Sequence, residues 1–82
     1  MKTICYSAAA DKTLAKMPAN TAALIESKID QLAIDPASLG NLVKRLQGSQ
    51  AFRLRVGDWR VVYTDELVIL DILAIAPRGA AY

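Results

Sequence analysis

The 82-residue sequence predicts an α+β fold. Three observations support this: a short run of strand formers at the start, two stretches of helical periodicity after it, and three strand-like runs in series. In full, the expectation is an N-terminal strand, a two-helix antiparallel hairpin, then a three-stranded antiparallel meander completing one sheet. At this length one domain, residues 1–82, is expected. More than half of the residues, 54%, are apolar, which suits a packed core rather than a disordered chain.

Lys2–Tyr6 (KTICY) is the first strand candidate. Ser7 is placed to cap a helix through AAADKTLAKM, which Pro18 stops. Asn20 or Thr21 is the expected cap of a second helix, whose Leu24, Ile25, Ile29, Leu32 and Ala33 recur at helical spacing until Asp35-Pro36 ends it. The very short link predicts an antiparallel helical hairpin. Residues 36–50, punctuated by Gly40 and Gly48 around a short LVKRL stretch, read as a loop. Phe52–Val56, Trp59–Thr64 and Leu67–Ala76 are the remaining strands.

Composition excludes several classes. A net charge of +2 is too small for a uniformly basic nucleic-acid binder, so any basic site must come from the placement of charge. With one cysteine and no histidine, neither an internal disulfide, a Cys-His nucleophile nor a metal centre is expected, and no cofactor is called for. Cys5 reads as a small buried hydrophobe. The apolar stretch near the C-terminus is about half what a membrane span needs, and no signal-peptide pattern is present. A cytoplasmic, reducing location is expected.

The informative stretch is AFRLRVGDWRVVY, residues 51–63. Gly57-Asp58 suits a two-residue hairpin loop, because glycine supplies the positive φ such turns need. In that register Val56 faces Trp59, Arg55 faces Arg60, Leu54 faces Val61, Arg53 faces Val62 and Phe52 faces Tyr63. Alternation then puts Phe52, Leu54, Val56, Trp59, Val61 and Tyr63 on the helix-covered face and Arg53, Arg55 and Arg60 on the other. Trp59 and Tyr63 read as core or core-edge rather than as stacking rings. Like charges directly opposite each other oppose pairing by roughly a few tenths of a kcal/mol to 1 kcal/mol, and a phosphate between the guanidinium forks would remove the repulsion. Geometry alone leaves two readings open. One is an anion-binding surface. The other is a solvated face on which Asp71, if Asp65-Glu66 is the next hairpin loop, sits opposite Arg60 as a salt bridge. The same alternation places Leu67, Ile69, Leu73 and Ile75 on the arginine side, to be covered by another segment or a partner.

KRLQGSQAFRLRVGDWRVVY, followed by IAPRGAAY, resembles the RelE branch of the RelE/ParE toxin superfamily. The pattern is a K-x-L-x-G lead, an aromatic-basic-apolar-basic strand, a G-[DN]-[WY]-R-[VL]-[VIL]-Y hairpin and a terminal R-x-x-x-Y. The N-terminal strand and the helices fit as well, so the likeness spans nearly the whole chain. It implies a type II toxin, neutralised by a cognate RelB-like antitoxin, that cuts messenger RNA in the ribosomal A site by 2′-hydroxyl attack on the scissile phosphate. The resemblance implies catalytic roles for Arg53, Arg55, Arg60, Arg78 and Tyr82: Arg60 stabilises charge on the phosphate, Arg78 is a general acid, and Tyr82 stacks on the substrate or acts as base. Lys44 and Arg45 read as solvated and within reach of the RNA backbone. The best-known members carry lysines where this chain has Arg53 and Arg55, and arginine is a poorer proton carrier because it stays protonated. The alternatives are a ParE-like toxin that poisons DNA gyrase by binding alone, and a weakly active antitoxin-binding module.

Overall fold

A computed structural model describes residues 2–77 and Gly79. The elements are β1 (Thr3–Tyr6), α1 (Ala8–Lys16), α2 (Ala19–Ile34), a 3₁₀ helix (Pro36–Leu42), then β2 (Val43–Arg45), β3 (Phe52–Val56), β4 (Trp59–Asp65) and β5 (Ile69–Pro77). One sheet carries all five strands in the order β1-β5-β4-β3-β2. The last four form an antiparallel ladder, and β1 joins the edge in parallel with β5.

Each helix start has a local cause. Ser7 sits in extended conformation and its Oγ accepts from the Ala10 N–H at 3.0 Å, so α1 begins as its cap predicts. The same hydroxyl donates to the Leu73 carbonyl at 2.7 Å, and the Ser7 N–H donates to the Ile72 carbonyl at 2.9 Å. One residue therefore ties the β1–α1 corner to β5. For α2 the expected cap is corrected. The cap is Pro18, two residues before Asn20 and three before Thr21, with no side-chain cap, and Asn20 merely accepts from the neighbouring Thr21 N–H at 3.0 Å. Proline's fixed φ turns the chain straight into the helix, and the Pro18 carbonyl takes the Ala22 N–H at 3.0 Å.

The helices cover one face of the sheet. Ile25 and Ile29 of α2 are fully buried against Leu54, Val61, Leu70 and Ile72, while Ala10 and Leu14 of α1 and Leu39 of the 3₁₀ helix close the ends. Phe52 and Tyr63 stack across the strands with ring centroids 5.6 Å apart. Trp59 packs part-buried at the core edge, as alternation predicts.

Four expectations are corrected. Residues 36–50 are not simply a loop: they hold the 3₁₀ helix and β2, whose Val43, Lys44 and Arg45 face Leu54, Arg53 and Phe52. The β4–β5 loop is Leu67-Val68 rather than Asp65-Glu66, so Asp71 faces Thr64 and Ala76 faces Arg60. This register pairs all seven residues of β4 with β5. A bulge opposite Val62/Tyr63 then shifts the alternation of β5, which brings Ile75 into the core instead of onto the arginine face. Finally, Cys5 is exposed: in β1 it pairs with Asp71, while its neighbours Ile4 and Tyr6 turn to the core.

Candidate functional site

The register of β3 on β4 is the predicted one at all five pairs, from Phe52–Tyr63 to Val56–Trp59. Gly57 makes it possible: its φ of 57° is the left-handed conformation a tight hairpin needs at the first loop position. The helix-free face of the hairpin therefore presents Arg53, Arg55 and Arg60 together. β2 adds Lys44, directly opposite Arg53. Two like-charged pairs, Lys44–Arg53 and Arg55–Arg60, thus lie side by side across adjacent ladders. Arg45 is placed apart: it pairs with Phe52, on the opposite side of the sheet, and its Nε donates to the Ser49 carbonyl at 3.3 Å.

Arg60 is the buried charge among the described residues, 9% exposed. Its Nη1 donates to the carbonyls of Gly57 at 3.2 Å and Trp59 at 3.1 Å, which folds the guanidinium back over its own hairpin turn. Among the described residues the single ion pair joins Lys2 to Asp65, so no carboxylate lies in ion-pair range of Arg60. A buried charge that meets no counter-ion among the described residues costs stability, and two backbone dipoles offset that only in part. Asp71, which would face Arg60 if Asp65-Glu66 were the hairpin loop, is held opposite Thr64.

Two grooves open beside the hairpin, at its edge. One, of about 540 Å³, is lined by Leu24 and Lys28 of α2, Leu42, Val56, the Gly57-Asp58 turn, Arg55 and Arg60. The other, of about 210 Å³, is lined by Asn41, Leu42, Val43, Lys44, Arg53 and Arg55. Leu42 and Arg55 belong to both. Sequence reasoning missed Lys28 and Asn41, since both come from elements outside the hairpin. Arg78 and Tyr82 lie outside the described residues.

Two tyrosines are unsuited to proton transfer at neutral pH. Burial, reinforced by the Asp65 carboxylate, pushes the Tyr63 phenol up to about 12. Burial, then the charges of Asp30, Glu26 and Asp11, pushes Tyr6 up to about 12 as well. Both belong to the core side of the sheet, away from the arginines. The chemistry this face offers is fixed positive charge: guanidinium forks for a phosphate that gains negative charge in a transition state.

Comparison with known proteins agrees with the architecture. The family model for the ParE toxin of type II toxin–antitoxin systems, parDE, matches residues 4–82. Among solved structures, the chain is similar to the archaeal RelE–RelB complex from Pyrococcus horikoshii, at 26% identity and a TM-score of 0.81, covering 98% of each chain. It also superposes on the intact E. coli RelBE toxin–antitoxin complex, at 16% identity and a TM-score of 0.76, covering 99% of this chain and 100% of that one. The YoeB–YefM heterotetramer from Staphylococcus aureus gives 16% identity and a TM-score of 0.72, covering 90% and 93%. No curated protein matches the chain in sequence. A family match over nearly the full length, on the sheet and helices described above, makes the chain a member of the RelE/ParE superfamily, a toxin of a type II toxin–antitoxin system.

Proposed function

We propose that this toxin is a ribosome-dependent messenger-RNA endoribonuclease of the cytoplasm, neutralised by a RelB-like antitoxin. The observation that carries this reading is the buried Arg60 guanidinium, set opposite Arg55 with no carboxylate in ion-pair range among the described residues. The 2′-hydroxyl of the nucleotide before the cut attacks the adjacent phosphorus. Its proton passes to a base and the P–O5′ bond breaks. The leaving oxygen takes up a proton, giving a 2′,3′-cyclic phosphate and a 5′-hydroxyl. Arg53, Arg55 and Arg60 hold and stabilise the phosphate as charge builds on its oxygens, and Lys44 extends the contact along the backbone. Arg78 and Tyr82 take the roles the family likeness implies, proton donor and stacking partner or base. The antitoxin follows from the similarity to RelE–RelB and YoeB–YefM complexes.

The test is to incubate the toxin with translating ribosomes and map the message ends. The expected result is cleavage in the A site, reduced about 10²-fold or more in Arg60→Ala, the scale on which single charge-stabilising donors act. Intact messages and undisturbed translation would overturn the reading. One observation favours a second reading: the matching family model is that of the ParE toxin. On that reading induction arrests replication and stabilises gyrase–DNA breaks while messages stay whole.

A further inference from the structure

The groove of about 540 Å³ holds a cation that neither the hairpin pattern nor the family likeness supplies. Lys28 belongs to α2, more than twenty positions before the hairpin, yet it lines the same groove as Arg55 and Arg60. It is part-buried, and among the described residues it makes no ion pair. Its own helix offers no acid either. The residues three and four positions away are Leu24, Ile25, Gln31 and Leu32, while Glu26 and Asp30 fall on other faces. Asp58, at the exposed hairpin tip, is the acid that lines the groove, and it too lies outside ion-pair range. Three cations therefore share a groove whose other wall is apolar, formed by Leu24, half-exposed at 50%, and Leu42. That combination suits a nucleotide: the cations take the phosphate, and the leucines take the flat face of a ribose or base.

We propose that Lys28 binds a backbone phosphate of single-stranded RNA, the one next to the scissile phosphate held by the arginines, so that the strand runs over the hairpin tip towards α2. This rests on the polynucleotide reading of the arginine face. Lys28 lines the groove beside Leu24 and Leu42, a setting in which a lysine stem covers apolar surface while its ammonium stays in water.

The test uses the full-length toxin and a labelled single-stranded RNA whose 2′-hydroxyls are methylated, so that binding is read without cleavage. Affinity is measured across a series of salt concentrations. Lys28→Ala is expected to weaken binding about 3- to 10-fold and to flatten the log–log salt dependence by about 0.7, the share of one phosphate contact on a single strand. Lys28→Arg restores both, which excludes damage to the helix, and Lys12→Ala on α1 leaves both unchanged. If Lys28→Ala matches the wild type in affinity and slope while Arg60→Ala binds weakly, the Lys28 site is overturned and the arginine face stands. If the wild type itself fails to bind at low salt, the Lys28 site is overturned, while the arginine face is decided separately by message cleavage on translating ribosomes.

Discussion

Arg60 is where folding and the proposed chemistry pull in opposite directions. A guanidinium 9% exposed, facing a second arginine and held among the described residues by two carbonyl oxygens, is a poor choice for stability. Replacing it with an apolar side chain of similar length should therefore stabilise the protein and abolish the proposed activity. Arg60→Met is expected to raise the unfolding free energy by about 1 kcal/mol, read from urea midpoints at constant slope, and to remove message cleavage. A loss of stability would mean that the carbonyl contacts outweigh the buried charge. This residue's face was legible in the sequence because a single glycine sets the register. Its isolation was not: whether Asp71 reaches it depends on the next hairpin, where acidic turn chemistry at Asp65-Glu66 lost to the longer ladder. Lys28 was not legible because its place beside the hairpin is a tertiary fact, set by how α2 lies on the sheet. Cys5 was misjudged because in an edge strand only alternate residues meet the core, and Ile4 and Tyr6 take those places.

Among the elements, the β3–β4 hairpin and the Ser7 corner carry the most consequence per residue. Gly57 has open space where a side chain would sit, so the cost of Gly57→Ala is purely backbone: its φ of 57° disfavours any Cβ. The substitution should destabilise by about 1 kcal/mol. It should also lower activity more than stability alone would, because the Gly57 carbonyl holds Arg60. Kinetics measured well below the melting temperature separate the two effects. Ser7→Ala removes a cap and a donor to the β5 bulge together, with an expected cost of about 1–2 kcal/mol. If thermal denaturation shows no shift, the hydroxyl is not anchoring α1. α1 could be read from its cap, α2 from its periodicity though not from its cap, and β1, β3 and β4 from alternation. The strand β2 could not, since three residues, two of them charged, carry no periodic signal and pair through backbone alone. Nor could the bulge in β5, because an extra residue in a continuous apolar run leaves no trace in composition.

At the scale of the whole molecule, the small net charge conceals a separation. Asp11, Glu26 and Asp30 cluster near Tyr6 on the helical side, whereas Lys44, Arg53, Arg55 and Arg60 share the face of the sheet opposite the helices. A net charge of +2 is thus compatible with a locally basic surface. The two shifted phenols also set a limit to alkaline stability. Tyr6 and Tyr63 ionise near 12 in the folded chain against about 10 unfolded, so the fold holds their protons more tightly. Their contribution is complete below pH ~10 and is lost as the pH rises towards ~12. Urea midpoints should fall across that window, and Tyr63→Phe or Tyr6→Phe should flatten the fall. An unchanged profile in both variants would assign the alkaline loss to other groups. Across the molecule, the claim that matters most is that the arginine face exists to handle a phosphate under attack. Its most direct measurement is sequencing of message ends that carry 5′-hydroxyls, from cells induced for the wild type and for Arg60→Ala. New ends at ribosome-occupied codons with the wild type, absent with the variant, are the predicted result; growth arrest by the wild type with no new 5′-hydroxyl ends would contradict it.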